Sequence, residues 1–341
     1  MVFFGSKTVL GVDLGTAGIK IAELSRIGGD RFELKNYGLL DFLAKESAGL
    51  KISDDIIISG LRDLVSRTKP STKDAVSSIS SFLTFSTVIE LPYLSEKDLE
   101  KAIPFEARKY IPLPLQDVVL DWSIINVKEF QDHPNVDVFL AAVPKDEAER
   151  YKNIFNSAGL NLRALELENI ALIRALMKEA QAAAAIVNLG GRSSSILIVD
   201  KGFERVSRNY ELGGFEMTKV LAGSLGVSFE RAEELKKTEG LKGNKAFREA
   251  IIPLIDLIIF EVKKTAANYE ESKKAKIGKV VLTGGQANML GLKEYFAEKL
   301  GKEVLIGDPF EKISYNKAIE GIKNNLGSSL SVALGLAMRK L

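Results

Sequence analysis

The chain has 341 residues, 46% of them hydrophobic and 27% charged, with a formal net charge of +2 and no cysteine. That length suits two to four small domains with real apolar cores. The near-neutral balance gives no built-in pull on nucleic acid or an anionic membrane, and without cysteine there is neither a disulfide nor thiolate chemistry. The single histidine, His133, stands between Asp132 and Pro134 in a turn-like stretch and reads as a solvated loop residue, which argues against a histidine metal site or a Ser–His triad. The opening residues lack a basic segment followed by a long apolar one, so no signal peptide is expected. No run reaches the ~18 apolar residues of a membrane span; the nearest, Ile251 to Phe260, is short and contains Pro253 and Asp256. A cytoplasmic protein able to dock on a membrane partner is expected.

In chain order, Thr8 to Leu24 is a β-branched run, a glycine turn with small residues, then a second β run, which predicts a hairpin with a polar tip. Helical periodicity follows over Asp54–Thr68. Ser77 to Leu162 carries strand-like runs (Ser86–Leu91, Val118–Val127, Val136–Val143) and charged helical runs (Ser95–Tyr110, Lys145–Ala158), enough for a small α/β subdomain. Pro104, Pro112 and Pro114 are expected to punctuate the end of its first helix. Asn169–Gln181 is again helical in pattern, and Ala185 to Val199 repeats the glycine hairpin, which suggests a duplicated α/β architecture. Gly213-Gly214 opens a helix-rich stretch to about Ala275. Its long helix, Ala250–Glu271, is apolar at Ile251, Leu254, Ile258 and Val262. A strand over Lys279–Leu282 leads into Thr283-Gly-Gly-Gln-Ala287. A last helix, Ser328–Arg339, gathers Leu330, Ala333, Leu334, Ala337 and Met338 on one face and is expected to pack back on the first half.

Phosphate recognition needs backbone N–H groups that a ligand can approach without side chains in the way, and glycine with small hydroxyl residues in a tight turn supplies them. Asp13-Leu-Gly-Thr-Ala-Gly-Ile-Lys fits: Gly15, Ala17 and Gly18 keep the turn slim, Thr16 offers a hydroxyl, Lys20 a positive charge, and Asp13 can reach Mg²⁺ through its water shell. One glycine hairpin is weak evidence, since such turns are common. The second, Asn188-Leu-Gly190-Gly191-Arg192-Ser193, can clamp the same phosphates from the opposite side. Gly284, Gly285 and Gln286 then offer backbone against which a purine–ribose can lie. Glu233 and Lys236 share a helix face; they suit ribose hydroxyls and a base edge, or form a solvated ion pair, the commoner outcome for charged helix residues.

These elements in this order resemble the actin, sugar-kinase and DnaK-type superfamily along essentially the whole chain. The resemblance implies an α/β, actin-like (ribonuclease H-like) two-lobed ATPase fold that binds ATP or ADP with Mg²⁺. Within it, Glu100-Lys-Ala-Ile-Pro-Phe-Glu-Ala-Arg-Lys-Tyr-Ile-Pro-Leu-Pro-Leu-Gln-Asp-Val-Val-Leu-Asp, Val138 to Lys145, Ser157-Ala-Gly-Leu, Phe3-Phe4 and Val332 to Arg339 are similar to the PilM family of type IV pilus assembly proteins. That implies an FtsA/PilM-type layout: residues 1–76, 163–184 and 326–341 as the first lobe, 77–162 as its inserted subdomain, 185–213 and 277–325 as the second lobe, and 214–276 as that lobe's helical insert. It further implies a scaffold, peripheral at the inner membrane, whose groove between insert and first lobe takes the N-terminal peptide of a PilN-like membrane protein, with a pilus motor ATPase and platform proteins as further partners. Phe105, Tyr110 and Ile111 are candidates for the docking surface or, taken singly, for the insert's own core. FtsA usually ends in an amphipathic membrane helix and GspL continues into a membrane span, and neither pattern follows here. An FtsA-like filament former and a sugar or metabolite kinase stay as alternatives, although no substrate loop for a kinase is recognisable.

One position departs from the superfamily. The second phosphate loop normally begins with aspartate, which helps to hold hydrated Mg²⁺; here Asn188 brings no charge, so at most slow hydrolysis is expected. Glu168 resembles the glutamate that orients the attacking water in bacterial actins, or it simply caps the helix that begins there.

Overall fold

The first hairpin forms where glycine and β-branched residues place it. Strands β1 (Thr8–Gly15) and β2 (Gly18–Gly28) are antiparallel, with Gly15 opposite Gly18 in the last rung. The computed structural model describes residues 8–42, 52–128, 134–177 and 182–341. His133, Phe3-Phe4 and the end of the helical pattern at Gln181 lie outside the described residues.

Strand β3 (Arg31–Asp41) pairs antiparallel with β2, while β4 (Asp74–Ile79) and β8 (Asn161–Leu167) extend the sheet in parallel beyond β1. The second sheet repeats this plan. Strands β9 (Ala184–Leu189), β10 (Ser194–Asp200) and β11 (Phe203–Tyr210) are antiparallel, and β12 (Lys279–Thr283) and β13 (Glu303–Ile306) add in parallel to β9. The two orders, β3-β2-β1-β4-β8 and β11-β10-β9-β12-β13, match strand for strand, so the duplication read from the two hairpins extends to whole sheets. Strand β14 (Ile313–Ser314), within the span expected for the second lobe, pairs with β3 of the first sheet.

Two helices fill the space between the sheets. Helix α4 (Glu168–Leu176) and helix α9 (Lys323–Ala337) share a core with alternate residues of the central strands, including Val9, Val76, Ile186, Leu197 and Val281. The period-2 alternation of the strands decides this: Ile186, Leu197 and Val199 point at α4 and α9, whereas Val187, Ile196 and Ile198 join the outer core. That outer core is built on the long helix α7 (Lys245–Lys273), whose N-cap Asn244 accepts from Phe247 N and which buries Ile251, Ile258 and Val262. Helices α5 (Gly214–Leu225) and α6 (Phe229–Thr238) flank it, and α8 (Leu292–Leu300) covers the far strands. Helix α9 packs on β1 and β2, as its apolar face predicts.

The insert is a three-stranded antiparallel sheet, β5 (Phe85–Pro92), β7 (Asn135–Pro144) and β6 (Val118–Lys128), covered on one face by helix α2 (Glu96–Ala107). Pro104 lies inside α2 and does not end it: its missing N–H forgoes one backbone bond, and the helix runs on to Ala107. Helix α3 (Lys145–Ser157) packs on α1 (Asp54–Thr68), where Arg150 binds Asp54 at 2.7 Å and Tyr151, Ile154 and Phe155 enter the first lobe's core. Ile125 and Phe139 of the insert's other sheet face join that same core.

Candidate nucleotide-binding cleft

A cleft of about 310 Å³ opens between the two sheets. Both hairpin tips project into it. Thr16 and Ala17 form the first tip; Gly190 to Ser193 form the second, closed by Gly190 N donating to Ser193 O at 3.0 Å. The tips touch: Arg192 N donates to Thr16 Oγ1 at 3.2 Å, and a Cβ on Gly191 would lie 2.4 Å from Ala17 Cβ. On the first hairpin, Asp13 and Lys20 are cross-strand neighbours joined at 3.2 Å, which leaves one positive and one negative group side by side on the wall.

The third loop follows β12. Gly284 has φ +89°, and a Cβ there would fall 2.5 Å from both Asn188 Oδ1 and Leu189 O, so this position needs glycine for backbone freedom and for close approach. Gly285 differs, because a Cβ on it meets open space. Gln286 presses its amide against Gly214.

Of the residues expected at the site, Asp13, Gly15, Thr16, Ala17, Gly18, Lys20, Glu168, Asn188, Gly190, Gly191, Ser193, Glu233, Gly284, Gly285 and Gln286 line the cleft. Two expected residues do not. Arg192 turns its guanidinium onto the Phe215 ring, 4.9 Å from the centroid. Lys236 is buried, and its ammonium donates to Glu233 (2.6 Å), Gly214 O (2.8 Å) and Thr218 Oγ1 (2.7 Å), which uses its three protons within the protein. The Glu233–Lys236 pair is therefore not the solvated pair of the commoner reading. Helix α6 packs that face onto α5, and the internal partners replace water. Burial works to raise the Glu233 carboxyl, but Lys236, Thr218 and Lys237 hold it below the usual carboxylate range. Burial pulls Lys236 below its ordinary value against the pull of Glu233. Lys237, one residue on and bound to Glu233 at 3.2 Å, is the lysine of α6 that lines the cleft. Asp41, Ser81, Asn209 and Ser328 also line it and carry no motif in the sequence.

Glu168 opens α4 and serves the cleft as well as the helix. Asn188 Nδ2 donates to its Oε1 at 2.7 Å, and it lies in the field of Asp13. Removal from water, and then the Asp13 carboxylate, push its carboxyl up to about 7, against the opposing effects of Lys20 and the Asn188 amide. The asparagine at the head of the second loop thus binds a carboxylate that an aspartate would repel.

A second cavity, of about 530 Å³, lies where the first sheet, the insert and β11 meet. Phe32, Ile125, Phe139, Ile173, Met177 and Phe203 give it an apolar lining, with Arg26, Lys312 and Arg339 beside them. The aromatic segment of the insert divides: Ile111 is core, whereas Phe105 is 65% exposed on α2 with Arg108 stacked 5.4 Å from its ring centroid, and Tyr110 is exposed. Among the described residues no helix is long and apolar enough to cross a membrane.

Duplicated sheets around a glycine-edged cleft define an actin-like ATPase fold. The chain belongs to the family of the type IV pilus assembly protein PilM, whose sequence profile matches residues 11–341. Its fold is that of the PilM chain in a PilM–PilN type IV pilus biogenesis complex, at TM-score 0.84 with 22% identity, covering 97% of this chain and 98% of that one. A more distant likeness is MreB5 of Spiroplasma citri bound to ADP, at TM-score 0.52 with 14% identity over 96% of this chain and 94% of that one. The cell division protein FtsA of Bacillus subtilis (strain 168) is 28% identical over 176 residues, 45% of this chain and 40% of FtsA. The chain spans less than half the length of the curated relatives it matches.

Proposed function

We propose that this protein is a nucleotide-gated scaffold of type IV pilus assembly, which binds ATP or ADP between its lobes and the cytoplasmic N-terminal peptide of a PilN-like membrane protein in the second cavity. The observation that carries the nucleotide half is the meeting of the two slim tips above Glu168 and Asn188, with the open face of Gly285 as a shelf for the base. Lys237 and Glu233 suit the ribose end, Thr16 and Ser193 the phosphates. Among the described residues no three His, Cys, Asp or Glu side chains cluster as a metal cage. A Mg²⁺ would therefore come with the phosphates, and its water shell is within the chemistry of Asp13 and the Asn188 amide. Turnover would be slow, because Asn188 adds no charge to such an ion. The lobe and insert boundaries given above are part of this proposal.

The peptide half rests on an apolar cavity walled by the first sheet, by α4 and by the insert, a subdomain that nucleotide chemistry does not require, and on the PilN partner in the complex of the related PilM. Partner capture would place the protein at the inner membrane without a span of its own and leave other faces for motor and platform proteins. Calorimetry tests both halves: wild type should bind ATP or ADP in the presence of Mg²⁺ and, separately, a synthetic peptide of the cognate PilN N-terminus. Phe203→Ala removes an exposed wall of the cavity and should weaken the peptide roughly tenfold, whereas Phe105→Ala, on the outer face of α2, should not. No binding of either nucleotide by folded protein would refute the first half; equal peptide binding by Phe203→Ala and loss in Phe105→Ala would move the docking site to α2.

A further inference from the structure

Strands β2 and β10 and helices α4 and α9 leave the cleft and end together on the opposite face of the molecule. The strands start at the two hairpin tips and finish in the turns before β3 and β11, whose last rungs are Gly28–Arg31 and Asp200–Phe203. Helix α4 starts at Glu168 in the cleft and ends at Leu176; α9 passes the cleft at Ser328 and Ser331 and ends before Met338-Arg339-Lys340. Arg26, Met177, Gly202 and Met338 then all line the second cavity. The duplication of the sheets thus brings two equivalent turns to one mouth. Each turn carries an exposed apolar side chain: Ile27 is 53% exposed and Phe203 39%.

Cations surround these side chains. Arg26, Lys312, Arg339 and Lys340 line the mouth, and the turns add Arg31 and Lys201, both exposed. The exposed carboxylates beside them are Asp30, which Arg26 meets at 3.8 Å, and Glu311. Glu204 and Glu166 are buried, and Glu166 is held by Arg174 and Arg339. Cations just past the end of a helix also complement its dipole, and that accounts for Arg339 and Lys340. It does not account for Arg31 and Lys201, at strand-to-strand turns, or for Lys312, whose carbonyl accepts from Phe32 N of the first sheet at 3.0 Å. The whole-chain charge of +2 therefore hides one basic face.

We infer that this face lies on a bilayer of anionic phospholipid, with Ile27 and Phe203 in the headgroup region and the surrounding lysines and arginines on the lipid phosphates. Apolar side chains ringed by lysine and arginine suit a membrane interface, because the apolar groups leave water while the long cationic side chains reach the phosphates. Charge complementarity selects the occupant, since each cation near an anionic surface strengthens attachment roughly fivefold. The inference takes its orientation from the functional reading above, in which a peptide tethered to a membrane enters this mouth. A protein held by that peptide has this face turned to the lipid. The lipid contact adds a weak second attachment, and it points the nucleotide cleft away from the bilayer.

The test is flotation of the full chain, without peptide, on vesicles of phosphatidylglycerol with phosphatidylethanolamine and on vesicles of phosphatidylcholine alone. Wild type should float with the first and not with the second, and raised salt should release it. Lys201→Asp combined with Lys340→Glu reverses two exposed charges of this face, and aspartate tolerates the left-handed backbone of Lys201. This double variant should bind the anionic vesicles at least tenfold more weakly. Ile27→Ser leaves every charge in place and should weaken binding several-fold. Lys219→Glu combined with Lys245→Glu makes the same change in net charge on α5 and at the start of α7, whose other end meets Asp200 through Tyr269 at 2.9 Å. That control should float as wild type does. No flotation of wild type at low salt, equal flotation on both vesicle types, or an equal loss in the two double variants would overturn the inference. Calorimetry with the peptide in lipid-free buffer is read separately. Peptide bound and vesicles ignored would sink the lipid contact alone; vesicles bound through these residues and no peptide bound would sink the peptide half of the functional reading and leave the lipid contact standing.

Discussion

Glu168 is held by the fold at the edge of ionisation. An ordinary glutamate in the unfolded chain titrates near ~4.3; in the folded protein burial and Asp13 move it to about 7. Between those values the folded state keeps a proton that the unfolded chain has lost. Stability therefore falls as pH rises through this window, and the penalty is fully present above pH 7. Glu168→Gln keeps an acceptor for Asn188 without the charge. It should gain about 1–3 kcal/mol at pH 8, less than a full conversion of the shift because the open cleft admits water, and almost nothing near pH 4.5. Urea melts of both proteins at the two pH values check this. If Glu168 also orients or deprotonates a water, the same substitution should abolish whatever slow ATP hydrolysis exists, and wild-type turnover should rise through pH 7. The converse change is Asn188→Asp. It sets a carboxylate 2.7 Å from Glu168 where an amide now donates, so it should lower stability in metal-free buffer and make nucleotide binding more dependent on Mg²⁺ than in wild type. Calorimetry with and without EDTA reads the second effect.

Among the elements, the third loop separates two glycines that look equivalent in sequence. Gly284→Ala puts a Cβ at 2.5 Å from Leu189 O in a left-handed backbone; it should cost about 1–3 kcal/mol in stability, measurable by thermal melting, before any effect on a ligand. An added Cβ on Gly285 meets no atom within 4 Å, so Gly285→Leu should leave the melting point unchanged while blocking nucleotide. Only the structure assigns these roles, because the motif fixes the residue type and not the direction in which a Cβ would point. The same limit explains what else was legible. The hairpins, α1 and the insert's strands follow from period-2 and period-3.6 patterning and from glycine, all local signals. Lys237 and Asn209 reach the cleft through packing of distant elements, so no spacing marks them. The burial of Lys236 is not legible for a related reason: at i,i+3 from Glu233 it shares a helix face, but which face packs onto Thr218 and Gly214 is a tertiary fact.

Across the whole molecule, α9 and α4 tie the two sheets into one shared core. Their shared core takes residues from both sheets, with Val9 and Val76 on one side and Ile186, Leu197 and Val281 on the other. The helices cross where Gly335 meets Ala171, and a Cβ on Gly335 would lie 2.0 Å from Ala171 O. Gly335→Val therefore cannot be absorbed by a rotamer change. It must part the helices and open voids beside residues that are now fully buried, at a cost of about 3 kcal/mol or more. The single tryptophan, Trp122, sits on β6 of the insert. Its fluorescence reports the insert, while far-UV circular dichroism reports the chain as a whole. Since the insert shares Ile125 and Phe139 with the first lobe's core and is bound to β11 through Ser86 and Asp137, the two signals should move to lower denaturant together in Gly335→Val and coincide in wild type. An insert signal that stays at its wild-type midpoint while the rest unfolds earlier would show that the insert is an independent folding unit and that the core around α9 ends at the lobes.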